Sequence, residues 1–238
     1  MGELLAAERL YSEVQQIFQS TGASVYSSWP LYGLAEIQFE RDDLVGARQK
    51  HETALALRQQ GGETGAVAES RLALSRLYRE QGQFVGARGA AANALEGFRQ
   101  GGDADGQAKA EIAAALCALE EVKFAEAHRA IDNARKLSGA TKDPTLKIEL
   151  NIADARVQIA LGNTSRAPSL LAQSLSQSRN MGFRELEYDT RLAWSELQRR
   201  SGRSNDARRS LVALQRDATA TGFRFIARKA AAAVGTAQ

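Results

Sequence analysis

The chain has 238 residues, 44% hydrophobic and 25% charged, with a formal net charge of +3, the ordinary balance of a soluble folded protein. Val, Ile, Thr and the aromatics are too sparse to build several strands, while Ala, Leu, Glu, Gln and Arg, all strong helix formers, dominate. A single cysteine, Cys117, excludes an internal disulfide and fits a reducing compartment, the start Met1 to Arg9 is amphipathic with early acids rather than a secretory leader, and the apolar run Ile112 to Leu119 is too short to cross a bilayer.

The first segment, about 3–19, carries Leu4, Leu5, Leu10, Tyr11, Val14 and Phe18 at helical spacing. Further helices follow at about 28–41, 45–60, 66–81, 85–100, 106–121, 125–138, 145–161, 165–180, 186–201 and 205–221, with a last one at about 225–234, each boundary carrying about ±3 residues. They alternate as A and B members of hairpins. Leu72, Leu74, Leu77 and Tyr78 mark the buried stripe of one A helix, and Ala87, Ala91, Ala94, Leu95 and Phe98 that of the next B helix.

What binds these helices into one pattern is a spacing of 40. Alanine stands at Ala7, Ala47, Ala87, Ala127, Ala167 and Ala207. A second small column runs Ala35, Ser75, Ala115, Ala155, Ser195, and a third Gly33, Ala73, Ala113, Ala153, Ala193. Small side chains at fixed points let paired helices approach closely, so these columns mark crossings. A glycine column, Gly22, Gly62, Gly102, Gly182 and Gly222, broken by Lys142, suits the left-handed residue that ends a helix. Gly82, Gly162 and Gly202 fall in the turn inside a hairpin. An apolar column, Leu4, Leu44, Phe84 and Phe124, lapses to Thr164 and Ser204.

Residues 71–95 carry a family resemblance: Leu74, Ser75, Tyr78, Gly82, Phe84, Ala87, Ala94 and Leu95 follow the order of the tetratricopeptide pattern, and Leu34, Ala35, Ala47, Ala54 and Leu55 repeat it. The chain thus resembles a tetratricopeptide-repeat array with units longer than the usual ~34 residues. The resemblance implies an all-α, right-handed superhelical solenoid forming one domain over 1–238. Its parts are a half-repeat at 3–22, repeats at 28–62, 66–102, 106–142, 145–182 and 186–222, and a capping helix at 225–234. The later repeats drift from the pattern, with Asp154 in the column of Leu34 and Leu74. Among apolar neighbours that carboxylate requires a cation or hydrogen-bond donor, Arg156, Arg191 or Gln158, unless a local helix rotation leaves it partly wet, which is the simpler expectation.

The ending Gly222 to Ala230 resembles the C-terminal repeat regions of multidomain bacterial proteins, in which a kinase or winged-helix DNA-binding domain precedes the repeats. A first helix in B register, with no A helix before it, leaves an apolar face in want of cover. Upstream repeats or self-association through this end would supply it.

No phosphate loop, nucleophile elbow or zinc motif occurs, and no catalytic, cofactor or metal-binding residue is assigned. His51 and His128 lie in B helices in non-equivalent columns and read as surface or inter-repeat packing. Cys117, flanked by Leu116, Ala118 and Leu119, reads as a buried structural thiol, and acidic pairs such as Glu120 and Glu121 as solvated. The segment 191–238 holds ten Lys/Arg against three Asp/Glu. This basic end reads first as a solvated arginine-rich face and only secondarily as a nucleic-acid surface, since no aromatics interleave with the arginines.

By the resemblance, A helices line the inner face, and the candidate partner-binding residues are Trp29, Tyr32, Glu36, Phe39, Arg76, Arg79, Lys109, Ile112, Leu116, Ile152, Arg156 and Arg199. Several of the apolar ones are also placed to pack between neighbouring repeats. The carboxylate clamp of chaperone-binding arrays, a Lys and an Asn one turn apart on the first A helix, is absent: the matching pairs are Tyr32/Glu36 and Leu72/Arg76. The expected function is a non-enzymatic, cytoplasmic protein-interaction module with no cofactor and no membrane contact. It would be a scaffold or sensor part of a larger bacterial signalling or regulatory protein, with a protein or peptide as partner. The alternative is a peptide- or small-ligand-sensing domain controlling an attached effector such as a kinase or DNA-binding domain.

Overall fold

Sequences this rich in Ala, Leu, Glu and Arg, punctuated by glycine every half repeat, fold as helices and little else. The computed structural model describes residues 2–21 and 24–235, so Gly22 of the glycine column lies outside the described residues. Within them lie twelve α-helices and no strand: α1 (Gly2–Ser20), α2 (Ser28–Glu40), α3 (Leu44–Gln60), α4 (Thr64–Glu80), α5 (Phe84–Gln100), α6 (Ala104–Glu120), α7 (Phe124–Leu137), α8 (Pro144–Ala160), α9 (Ala167–Met181), α10 (Arg184–Arg200), α11 (Ser204–Thr221) and α12 (Arg224–Gly235). Two 3-10 turns, Ser24–Ser27 and Ser138–Ala140, complete them. Every helix expected from the columns is present.

The punctuation behaves as its chemistry dictates. Gly62, Gly102, Gly182 and Gly222 take φ of +67° to +91° just after a B helix, a region closed to most side chains. Inside the hairpins Gly82, Gly162 and Gly202 take φ of +73° to +77°. Asp42 and Val122 occupy the same turn position at φ +68° and +60° without being glycine. Where Lys142 breaks the glycine column, α7 stops at Leu137 and leaves through the Ser138–Ala140 turn and an extended Thr141. Asp143 then caps α8 by accepting from Thr145 N at 2.9 Å, with Pro144 opening the helix.

The helices group into two compact units, residues 1–113 and 114–238. In the first, α2–α3 and α4–α5 are hairpins. Ala35, Ala47, Ser75 and Ala87 are fully buried where the helices cross, and the Ser75 hydroxyl donates to the Ala87 carbonyl at 2.7 Å. Helix α1 is held on α2 by a two-pronged ion pair from Arg41 to Glu8, 2.7 and 2.8 Å. A Cβ on Gly33 would overlap the Tyr11 ring, so glycine there permits that contact. Leu5, Leu10, Val14 and Ile17 of α1 remain exposed.

The second unit packs Ile148, Ile152, Ala155, Ile159, Leu171 and Leu197 into one core, with Phe183, Leu186 and Trp194 against it. Ala127, Ala167 and Ala207 are fully buried there, as is Cys117. Asp154 departs from the partly wet expectation. It is buried, its Oδ2 receives Arg135 Nη2 at 2.7 Å and its Oδ1 receives Gln158 Nε2 at 3.1 Å. The cation comes from α7 instead of Arg156 or Arg191, which pair with Asp189 and Asp217 at 2.8 Å. A buried carboxylate of this kind is tolerable because it is paired and hydrogen-bonded.

Candidate functional site

From α3 onwards each B helix, together with the turn after it in the case of α7, buries positions spaced 4, 3 and 4 apart, and these align in columns across repeats. One is His51, Ala91, Ile131, Leu171, Leu211 and another Arg58, Phe98, Ser138, Ser178, Ala218, every member buried. In both columns the first repeat carries a cationic or titratable residue where the others carry apolar or small ones. Helix α3 thereby places His51 and Arg58 in the interior between α2 and α4.

Around them α2 and α4 supply the rest of a polar cluster. His51 Nε2 lies 3.1 Å from Glu36 Oε1, and its ring meets Tyr32 edge-on with centroids 4.9 Å apart. Glu36 Oε2 receives Arg76 Nη2 at 2.7 Å, and the Arg76 guanidinium lies 3.8 Å from the Phe39 ring centre. Arg58 is fully buried and donates through Nη1 to the Ala66 carbonyl at 2.8 Å and the Ser70 hydroxyl at 2.9 Å. Its guanidinium carbon sits 4.9 Å from the Trp29 ring and 4.7 Å from the Tyr32 ring, within cation–π range. Trp29 itself is 52% exposed.

The electrostatics follow from this crowding. Burial alone would raise the Glu36 carboxyl, but Arg76 and then His51 outweigh it and bring its pKa down to about 2. Burial, and secondarily the Glu36 charge, pushes the Tyr32 hydroxyl well above the usual phenol range. Burial also draws the Arg58 guanidinium below its ordinary value, against the pull of Glu69.

The candidate partner-binding residues in 1–113 divide into three kinds. Trp29 is exposed, Tyr32, Glu36, Arg76, Arg79 and Lys109 are half-buried, and Phe39 and Ile112 are buried in the packing. In 114–238, Arg199 is exposed, Leu116 and Arg156 are half-buried and Ile152 belongs to the core. The charged column Glu36, Arg76, Arg156, Glu196 is largely self-paired: Glu36 binds Arg76, and Arg156 reaches Glu196 at 3.4 Å as well as Asp189 through two bonds of 2.9 and 2.8 Å. His128 is a surface residue 3.2 Å from Asp132. Arg58 is not among the candidates that the sequence suggests. The signal that marks it is its own column, read for chemical type instead of for size.

The sequence model of a family described as "MalT-like TPR region" matches residues 1–227. A comparison with curated protein sequences gives no match. Among solved structures, the chain is similar to a Rap protein complexed with competence and sporulation factor, with a TM-score of 0.70 at 12% identity, over 99% of this chain and 70% of that one. It is also similar to aspartyl phosphate phosphatase F from Bacillus subtilis, with a TM-score of 0.64 at 9% identity, over 98% of this chain and 65% of that one.

Proposed function

Because the chain belongs to the family of MalT-like TPR regions, we propose that it is a binding module that holds a segment of a protein or peptide partner. In residues 1–113 the segment lies on the face of α2 and α4 that presents Trp29, Tyr32 and Arg76. The observation that carries this reading is Trp29, a large aromatic left half exposed above a preorganised polar cluster. Tryptophan and arginine dominate the energetics of protein interfaces because they combine area with directed donors. The cluster is held in place by its own hydrogen bonds, so little ordering remains to be done on binding. Helical-repeat arrays offer extended surfaces of this kind. We place the module in a bacterial regulatory protein in the cytoplasm, acting without catalysis of its own.

A sensing role, in which binding changes the state of an attached effector, is favoured by one observation: a Rap protein of the same fold is complexed with competence and sporulation factor. Sensing requires a shape change on binding that a scaffold does not.

The test is selection of nine-residue peptides from a displayed random library on the folded chain. Enriched sequences are expected to bind in the micromolar range, and Trp29→Ser is expected to weaken them about tenfold with its helical content retained. Peptides that bind Trp29→Ser as well as the parent would remove the α2–α4 face from consideration.

A further inference from the structure

Arg58 is fully buried, yet only one of its three nitrogens is used. Nη1 serves the Ala66 carbonyl and the Ser70 hydroxyl, while Nε and Nη2 have no hydrogen-bond partner. Those two nitrogens form one edge of the guanidinium, the edge whose parallel N–H bonds match the two oxygens of a carboxylate. A buried charged donor left unpaired is costly. The guanidinium carbon lies 4.9 and 4.7 Å from the ring centres of Trp29 and Tyr32, but aromatic faces attract the charge without accepting a hydrogen bond as a carboxylate does. At the same end of α2, the hydroxyls of Ser27 and Ser28 are also buried and unpartnered.

Nothing in the packing demands a cation here, because the equivalent positions of the later repeats hold Phe98, Ser138, Ser178 and Ala218. Trp29 is 52% exposed while the guanidinium 4.9 Å from its ring is not, so the indole stands between that group and solvent. The Glu69 carboxylate, from a side chain 48% exposed, already stands 3.6 Å from Nη1. It is too distant for a hydrogen bond and lies on the nitrogen that is already occupied.

We infer that the Nε–Nη2 edge of Arg58, beside the half-exposed Trp29, is a bidentate recognition site for a carboxylate of the bound partner segment. The inference rests on the peptide-binding reading above and names the chemistry of its anchor. On binding, the indole shifts and lies against the segment. A carboxylate suits the site better than a phosphate, because Glu36 and Glu69 carry negative charge nearby and disfavour a dianion. The site is distinct from the Lys/Asn clamp absent from the A helices, since its cation comes from α3.

Three nine-residue libraries test it on the full chain: one with free C-termini, one amidated, and one amidated without Asp or Glu. The readouts are binding, the Nε–H proton resonance of Arg58, and the emission of Trp29 in a Trp194→Phe background. Binders are expected from the first library and not from the third. A saturating binder is expected to shift the Arg58 Nε–H resonance downfield and the Trp29 emission maximum, and Arg58→Lys to lose at least about tenfold in affinity, since an ammonium cannot reproduce the fork. Binders from the second library assign the anchor to an Asp or Glu side chain, and their absence assigns it to the terminal carboxylate; either supports the inference. Binders enriched equally from the third library, leaving the Nε–H resonance unmoved, would overturn the inference while the peptide-binding reading stands. No binder from any library would overturn both. Should Arg58→Lys melt below the assay temperature, the Nε–H resonance of the parent decides alone.

Discussion

At the turn between α6 and α7, Val122 holds φ at +60° with its side chain 68% exposed. A β-branched residue in the left-handed region is strained, and exposure means that its side chain gives little back. Val122→Gly is therefore expected to stabilise the chain by about 1 kcal/mol, read as a rise in melting temperature. The equivalent Asp42→Gly should gain less, because aspartate tolerates this region. Glu36 carries a second prediction. Its folded pKa of about 2 lies below its ordinary value of 4.5, so the ionised carboxylate contributes stability that is complete above pH about 5 and is lost as the pH falls towards 2. Urea denaturation at stepped pH is expected to show a shallower decline across this window in Glu36→Gln than in the parent. Parallel curves would mean that the Arg76 and His51 contacts contribute nothing to stability.

Among whole helices, the alanine columns decide how closely A and B members pack. Ala87 has no exposed surface and its carbonyl takes the Ser75 hydroxyl. Ala87→Leu must therefore separate α4 from α5 and break that bond, a loss of about 1–3 kcal/mol by overpacking. Melting equal to the parent would place Ala87 away from a crossing. Helix α1 behaves differently. Leu10 and Val14 are exposed, so changing both to Lys is expected to cost less than about 0.5 kcal/mol. A larger loss that grows with protein concentration would show instead that this face is buried against a second copy of the chain.

Over the whole molecule, residues 1–113 and residues 114–238 each hold a buried cluster of their own, Ala68, Ala94, Phe98 and Ala110 in the first and Ile148, Ile152, Leu171 and Leu197 in the second. Loss of amide-exchange protection in Ala87→Leu is accordingly expected to concentrate in residues 1–113, and in Ala127→Leu in residues 114–238. The helices, their turns and the crossings were legible in the sequence by itself, because each is written by a local rule repeated at a spacing of 40: small where helices touch, glycine where φ must be positive, apolar where a stripe is buried. The polar interior was not. Arg58 interrupts a column once, and no local rule says that Ala66 and Ser70 of α4 and the rings of Trp29 and Tyr32 of α2 converge on it. Asp154 likewise finds its cation on α7, 19 positions earlier, where helical spacing within α8 cannot point. Periodicity reports what every repeat shares; which unlike side chains meet depends on three helices packing together, and only the tertiary structure decides that.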